Sequence, residues 1–124
     1  IYQTFATEAK AKGLDVVAAE AFTADNKTDF SVQIQKAKDA GAELVFLPIY
    51  YQEASLILAQ ANKAGFTPKW FGCDGMDGIL DLDGFDASLA EDLMFLTPFT
   101  ANATDEATQK FVADYKEAFG AASS

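Results

Sequence analysis

The segment Phe46-Leu47-Pro48-Ile49-Tyr50-Tyr51-Gln52-Glu53 joins an apolar run to an amphipathic stretch. The apolar run, residues 44–47, has no polar residue and predicts a strand buried on both faces of a sheet. Residues 54–64 carry apolar side chains at helical spacing and stop at Gly65, which predicts a helix. Ligands of open α/β sheets bind at the carboxyl ends of the strands, so Tyr50 and Tyr51 are predicted to lie at a ligand-binding edge.

The size and composition of the chain indicate one globular unit. Its 124 residues suffice for a single domain, residues 1–124, and half of them are hydrophobic. The formal net charge of −10 argues against nucleic acid or an anionic membrane as a partner, because both attract basic surfaces. The sequence starts at Ile1 without methionine, which is typical of a piece of a longer protein.

The rest of the chain alternates between helix and strand signals. Helices are predicted over 1–12 and 29–40, and strands over 16–22, 43–47, 69–72 and 93–96, with turns and one helical turn in 74–86. This alternation predicts a parallel sheet with right-handed crossovers and helices on both faces, a three-layer α/β fold of the flavodoxin-like or Rossmann-like type. Such a fold normally opens with a strand, whereas this chain opens with a helix.

The last predicted helix begins with Thr104 as its cap and stops at Gly120. Its apolar side is expected to face inward and consists of Phe111, Val112, Tyr115 and Phe119. The tail from Ala121 to Ser124 is expected to fray.

Three loops follow predicted strands and would meet at one edge of a parallel sheet: Tyr50-Tyr51, Cys73-Asp74-Gly75 and Thr97-Pro98-Phe99. An aromatic wall with a carboxylate suits a small molecule with an apolar body and a cationic head, such as an amino acid. The candidate ligand-binding residues are therefore Tyr50, Asp74 and Tyr51.

Each of these residues also has a purely structural interpretation. Tyr51 could equally well cover the sheet edge, and Asp74-Gly75 taken alone is an ordinary turn. Cys73, the only cysteine, fits a small buried hydrophobic residue, and Thr97 could simply end a strand.

Signatures of metal binding and catalysis are missing from the sequence. The acidic run from Asp74 to Asp86 does not have the spacing of an EF-hand loop, and no glutamate closes it, so no metal is expected. The chain has no histidine, no glycine-rich phosphate loop and no Cys-x-x-Cys motif. We therefore expect no cofactor and no enzymatic activity.

Five stretches match one known family in order and spacing and together span nearly the whole chain. They are Thr28-Asp29-Phe30-Ser31-x-Gln33-Ile34, Leu44-Val45-Phe46-Leu47-Pro48-x-Tyr50-Tyr51-x-Glu53-Ala54, Gln60-Ala61-x-x-x-Gly65, Phe71-Gly72-x-Asp74-Gly75 and Phe111-x-x-x-Tyr115-x-x-x-Phe119-Gly120. On these stretches the chain resembles the type I periplasmic substrate-binding proteins of branched-chain amino acid ABC transporters, the leucine/isoleucine/valine-binding proteins.

In this family two α/β lobes close on the ligand, and the chain looks like most of the second lobe. The resemblance implies that Tyr50 packs on the ligand and that Asp74 pairs with its α-ammonium group. Relatives often carry glutamate at the position of Asp74, and the shorter side chain leaves room for a different ligand or a bridging water. The first lobe, which holds the ligand carboxylate, is missing, as is the Tyr-Ser pair that precedes the first helix.

The resemblance also implies that a central strand precedes Ile1 and lies between the strands at Val16 and Glu43. A chain without this strand has two unpaired sheet edges, so the isolated chain is not expected to be a well-behaved monomer.

The resemblance implies that the protein is the solute-binding component of an ABC importer. It would bind a branched-chain or other small amino acid between its lobes and deliver it to a membrane permease. The expected location is periplasmic or extracellular, which is compatible with a lipid anchor to the cell membrane. An alternative is the ligand-sensing domain of a receptor or regulator with the same fold. An α/β enzyme is less favoured and would need a glycine-rich loop upstream of Ile1.

Overall fold

A computed structural model describes residues 1–120, which form a parallel sheet flanked by helices. The helices are α1 (Tyr2–Ala11), α2 (Ser31–Asp39), α3 (Tyr51–Lys63) and α4 (Glu106–Phe119). The strands are β1 (Leu44–Leu47), β2 (Lys69–Gly72) and β3 (Leu93–Phe95). Between β2 and β3 lie three short 3-10 turns, at Asp74–Met76, Ile79–Asp81 and Ala87–Ala90. The first two lie in residues 74–86, where the sequence predicted turns and one helical turn, and the third follows that range. The prediction for residues 121–124 lies outside the described residues.

The three strands are parallel, in the order β1-β2-β3, and their register defines the two faces of the sheet. Val45 pairs with Trp70, which pairs with Leu93, and these side chains belong to or pack on the main core. That core lies between the sheet and the pair α2–α3, with Phe30, Ile34 and Leu58 among its buried side chains.

The opposite face of the sheet carries Phe46 and Phe71, because successive strand residues point to opposite sides. Helix α1 covers part of this face, since the Phe5 ring stacks on Phe46 at 4.1 Å between ring centroids. Phe46 in turn stacks on Phe71 at 5.9 Å. Helices therefore lie on both faces of a parallel sheet, which confirms the predicted three-layer α/β fold.

Residues 16–22, which were predicted to be a strand, have no strand structure. The segment still lies beside α2, because Phe22 contacts Phe30 edge to face and the Gln33 side chain donates a hydrogen bond to the Ala21 carbonyl at 3.1 Å. No strand lies next to it within residues 1–120, so its backbone has no ladder partner and Val17 is half exposed. The prediction was wrong because a strand requires a neighbour as well as a β-forming sequence.

Strand β1 was predicted to be buried on both faces, and this is also wrong for part of its length. Only Leu47 is buried, while Val45 and Phe46 are half buried and Leu44 is 45% exposed. The reason is its position: β1 is an edge strand among the described residues, and α1 covers only part of its second face.

Helix α4 differs from its prediction in its cap and in its burial. Asp105, and not Thr104, is the N-cap, and its carboxylate accepts a hydrogen bond from the Thr108 N–H at 2.9 Å. Val112 and Tyr115 are half buried, but Phe111 is 50% exposed and Phe119 is 69% exposed, so the apolar side is not packed inward. The predicted stop is correct, since Gly120 adopts the left-handed conformation at φ 69°.

Candidate functional site

The carboxyl ends of the three strands lie level with one another at one edge of the sheet. Leu47 pairs with Gly72, and Gly72 pairs with Phe95, so the loops after the strands start side by side. These loops contain Tyr50, Asp74 and Thr97. The structure thus brings the three predicted loops to a common edge, as the parallel arrangement requires.

Tyr50 and Tyr51 are neighbours in sequence but lie in different environments. Tyr50 is the N-cap of α3, with an extended backbone at φ −89° and ψ 159°, and 73% of the residue is exposed. Tyr51 is the first helical residue, is half buried and packs against the main core. The ring of Tyr50 is therefore available to a ligand, whereas Tyr51 makes contacts that stabilise the fold.

Asp74 opens the short 3-10 turn that follows β2, and its side chain is exposed. Within residues 1–120 the carboxylate forms no hydrogen bond and no ion pair. The turn is anchored by Met76, which is fully buried beneath it in the core. The backbone at Gly75 passes so close to the preceding loop that an added Cβ would lie 2.7 Å from the Ile49 carbonyl oxygen. The turn that begins at Asp74 is thus packed against the Tyr50 loop, and the Asp74 carboxylate has no hydrogen-bond or ion-pair partner within residues 1–120.

Cys73 and Thr97 occupy positions that fit their structural interpretations. Cys73 is half buried and lines an apolar hollow of about 470 Å³ beside Phe46 and Phe71. The Thr97 hydroxyl donates a hydrogen bond to the Phe99 carbonyl at 2.7 Å, which closes a local turn after β3.

Three acidic side chains of the described residues, Asp29, Asp86 and Asp105, accept hydrogen bonds from nearby backbone N–H groups. No group of three or more metal-ligating side chains converges anywhere in residues 1–120. Hydrogen bonds from the backbone N–H of Ser31 to Asp29 and of Thr108 to Asp105 lower the pKa of both carboxyl groups. The pKa of Asp86 is lowered by the Ser88 hydroxyl and N–H. These three acids stabilise turns and helix starts and do not form a site.

The sequence did not single out a groove of about 290 Å³ next to Tyr50. The groove lies between the loop before α2 and the start of α3, and its lining includes an ion pair between Lys27 and Glu53 at 3.3 Å. Its lining residues are Phe22, Thr23, Ala24, Lys27, Pro48, Ile49, Tyr50 and Glu53. Glu53 belongs to the segment after β1, but nothing in the sequence indicates that Lys27, 26 positions earlier, is its partner.

No helix among the described residues has the length and apolar character needed to span a membrane.

The sequence and the structure of this chain are both similar to those of known binding proteins. A Brucella abortus protein named Leu/Ile/Val-binding protein homolog 7 is 30% identical over 123 residues, which are 95% of this chain and 30% of that protein. The crystal structure of a leucine-binding protein from Thermotoga maritima superposes with a TM-score of 0.79 at 27% identity, covering 98% of this chain and 34% of that one.

A leucine-, isoleucine-, valine-, threonine- and alanine-binding protein from Brucella ovis, in a closed conformation, superposes with a TM-score of 0.81 at 27% identity. Its alignment covers 98% of this chain and 30% of that one. The chain therefore spans about a third of the length of these relatives.

The family model described as periplasmic binding protein matches residues 1–124, the entire sequence. Because this is a family of binding proteins, the match confirms the prediction that the chain is not an enzyme. The whole-length match and the relatives together confirm the resemblance found in the sequence: the chain belongs to the periplasmic binding protein family.

Proposed function

We propose that this chain is one lobe of a two-lobed solute-binding protein of an ABC importer, and that the whole protein binds a branched-chain or other small amino acid. The observation that carries the proposal is the contact between the Tyr50 loop and the Asp74-Gly75 turn. It brings the loop with the exposed Tyr50 ring against the turn that begins at Asp74, whose carboxylate has no hydrogen-bond or ion-pair partner within residues 1–120. Names of relatives that mention leucine, isoleucine and valine support the same ligand class.

The geometry fits the two ends of an amino acid. Asp74 supplies a negative charge for the α-ammonium group, and the Tyr50 ring supplies an apolar face that also attracts a cation. The α-carboxylate needs donors from elsewhere, and we assign these to the other lobe. A ligand that contacts both lobes at once stabilises the closed arrangement over the open one, so closure follows from differential binding.

The whole protein would then deliver its ligand to a membrane permease from the periplasm or the cell exterior, with a lipid anchor as one way to stay at the membrane. Transport would then require that the closed, ligand-bound protein docks on the permease and transfers its ligand there.

The decisive experiment is calorimetry of the full-length protein against the common amino acids and their close analogues. We expect at least one small amino acid to bind in the micromolar range or tighter, which corresponds to about 8 kcal/mol or more. A protein that is folded and binds none of them would contradict the proposal.

A further inference from the structure

The groove beside Tyr50 is a pocket adjacent to the proposed amino-acid site, and Tyr50 belongs to both. Its volume of about 290 Å³ lies just below the usual range for small-molecule pockets, about 300–1,000 Å³. Tyr50 lines the groove and also contacts the Asp74-Gly75 turn. An amino acid that packs on the Tyr50 ring would therefore lie next to this groove.

The walls of the groove are mostly apolar, and the charged residues in its lining are Lys27 and Glu53. Phe22, Pro48 and Ile49 provide apolar surface, and Lys27 and Glu53 form the ion pair. The Glu53 side chain is only 14% exposed, whereas that of Lys27 is 51% exposed. The group that a ligand meets is thus the Lys27 ammonium, which has three donors and no side-chain partner other than Glu53 among the described residues.

The loop that carries Lys27 is fixed on α3, so the groove exists before a ligand arrives. The Gln60 side chain accepts a hydrogen bond from the Phe30 N–H and donates one to the Thr28 carbonyl, both at 2.8 Å. Together with the Lys27–Glu53 pair, these bonds tie the loop to the helix at two points about two turns apart.

We propose that this groove binds the side chain of the amino-acid ligand and that Lys27 donates a hydrogen bond to a neutral acceptor at its end, a carboxamide. The inference rests on the proposed function and adds a preference for one ligand class. The apolar walls suit a methylene stem, and a carboxamide oxygen accepts from Lys27 without bringing a net charge. A carboxylate in the same place would lie close to Glu53, whose like charge opposes it.

Calorimetry of the full-length protein with glutamine, glutamate and leucine tests this. We expect glutamine to bind more tightly than the other two. Replacement Lys27→Met keeps the apolar stem and removes the donor, so it should weaken glutamine binding about tenfold or more. Leucine binding should change by about twofold or less, because leucine has no acceptor for Lys27.

Two further variants make the result interpretable. Lys36→Met removes a lysine of similar exposure that pairs with Glu20 at 2.9 Å outside the groove, and it should leave both affinities unchanged. The double variant Lys27→Met/Glu53→Gln avoids leaving Glu53 unpaired if the single variant folds poorly, and it should show the same selective loss of glutamine binding.

Leucine binding without a glutamine preference, or an equal loss for both ligands in the Lys27 variants, would overturn the groove assignment and leave the proposed function intact. If the wild-type protein binds no amino acid, the proposed function fails and the groove assignment fails with it.

Discussion

The backbone of Gly75 lies directly against the ring of Tyr50, so the acidic turn after β2 and the start of α3 touch at the carboxyl edge of the sheet. A Cβ atom on Gly75 would lie 3.0 Å from Tyr50 Cδ1 and even closer to the Ile49 carbonyl. These distances are shorter than ordinary van der Waals contacts. The Ile49 carbonyl is part of the backbone, so moving it away would require a shift of the main chain. Glycine at this position is what allows the turn that begins at Asp74 to pack this closely against the Tyr50 loop.

Gly75→Ala in the full-length protein should therefore push the two loops apart. We expect a loss of stability of about 1–3 kcal/mol from overpacking and a clear loss of ligand affinity, measured by chemical denaturation and calorimetry. Gly84→Ala is the control, because Gly84 has φ +79° but open space around it. It should cost stability through backbone strain and leave affinity unchanged. Equal affinities of Gly75→Ala and wild type would contradict the contact's role.

Asp74→Asn should abolish measurable amino-acid binding and barely change the melting temperature of the ligand-free protein. The fold loses nothing, since the Asp74 carboxylate makes no hydrogen bond or ion pair within residues 1–120. The closed complex loses the partner of a buried ammonium, which typically costs about 3–5 kcal/mol, or at least a hundredfold in affinity. Asp77→Asn, an exposed acid three positions on, is the matched control and should bind normally. Wild-type affinity of Asp74→Asn would show that Asp74 is only a turn residue.

The two adjacent tyrosines should separate binding from folding. Tyr50→Ala removes an exposed ring, so it should weaken ligand binding by about 1–3 kcal/mol with little effect on unfolding. Tyr51→Ala removes a half-buried ring packed on the core and should lower the free energy of unfolding by about 2 kcal/mol. Calorimetry and urea denaturation of both variants give the comparison. If Tyr51→Ala impairs binding without destabilising the protein, Tyr51 faces the ligand after all.

The sequence predicted those features that depend on nearby residues. The apolar run 44–47 and the glycines after α2, α3 and α4 are local signals, and the strand and the helix ends lie where those signals put them. The common edge of the Tyr50 and Asp74 loops followed from the predicted parallel direction of the strands, because the carboxyl ends of parallel strands lie on one side of the sheet.

The features that the sequence missed depend on distant partners. Residues 16–22 have a strand composition but no neighbouring strand within the described residues. The spacing of the aromatic residues in α4 predicts a buried face, but Phe111 and Phe119 on that face are exposed. The Lys27–Glu53 pair and the Gln60 contacts with residues 28–30 join positions about 26 to 32 residues apart. Residue-spacing patterns indicate contacts within one helix or strand, and they do not predict contacts between positions so far apart in the sequence.

The start of α4 should make a pH-dependent contribution to stability. The Thr108 N–H donates to the Asp105 carboxylate and lowers the pKa of that group below its unfolded value of about 4. A lowered pKa stabilises the folded state above the unfolded pKa, and this stabilisation is lost as pH falls through the folded pKa. Asp105→Asn keeps a good cap without a titrating group. The melting temperature of wild type should thus exceed that of Asp105→Asn at neutral pH, and the difference should shrink below about pH 4. A constant difference would rule this out.

The isolated chain, residues 1–124, should associate with itself or with another polypeptide. One edge of β1 has no partner strand among residues 1–120, and unpaired edges are templates for further pairing. The exposed rings of Phe111 and Phe119 add apolar surface that water solvates poorly. Size-exclusion chromatography with light scattering gives the oligomeric state, and mass spectrometry identifies any second chain. Leu44→Lys places a charge on the exposed part of β1 and should shift the chain toward the monomer, because charge on an edge strand opposes pairing. A wild-type chain that is a lone monomer and melts cooperatively would refute the prediction.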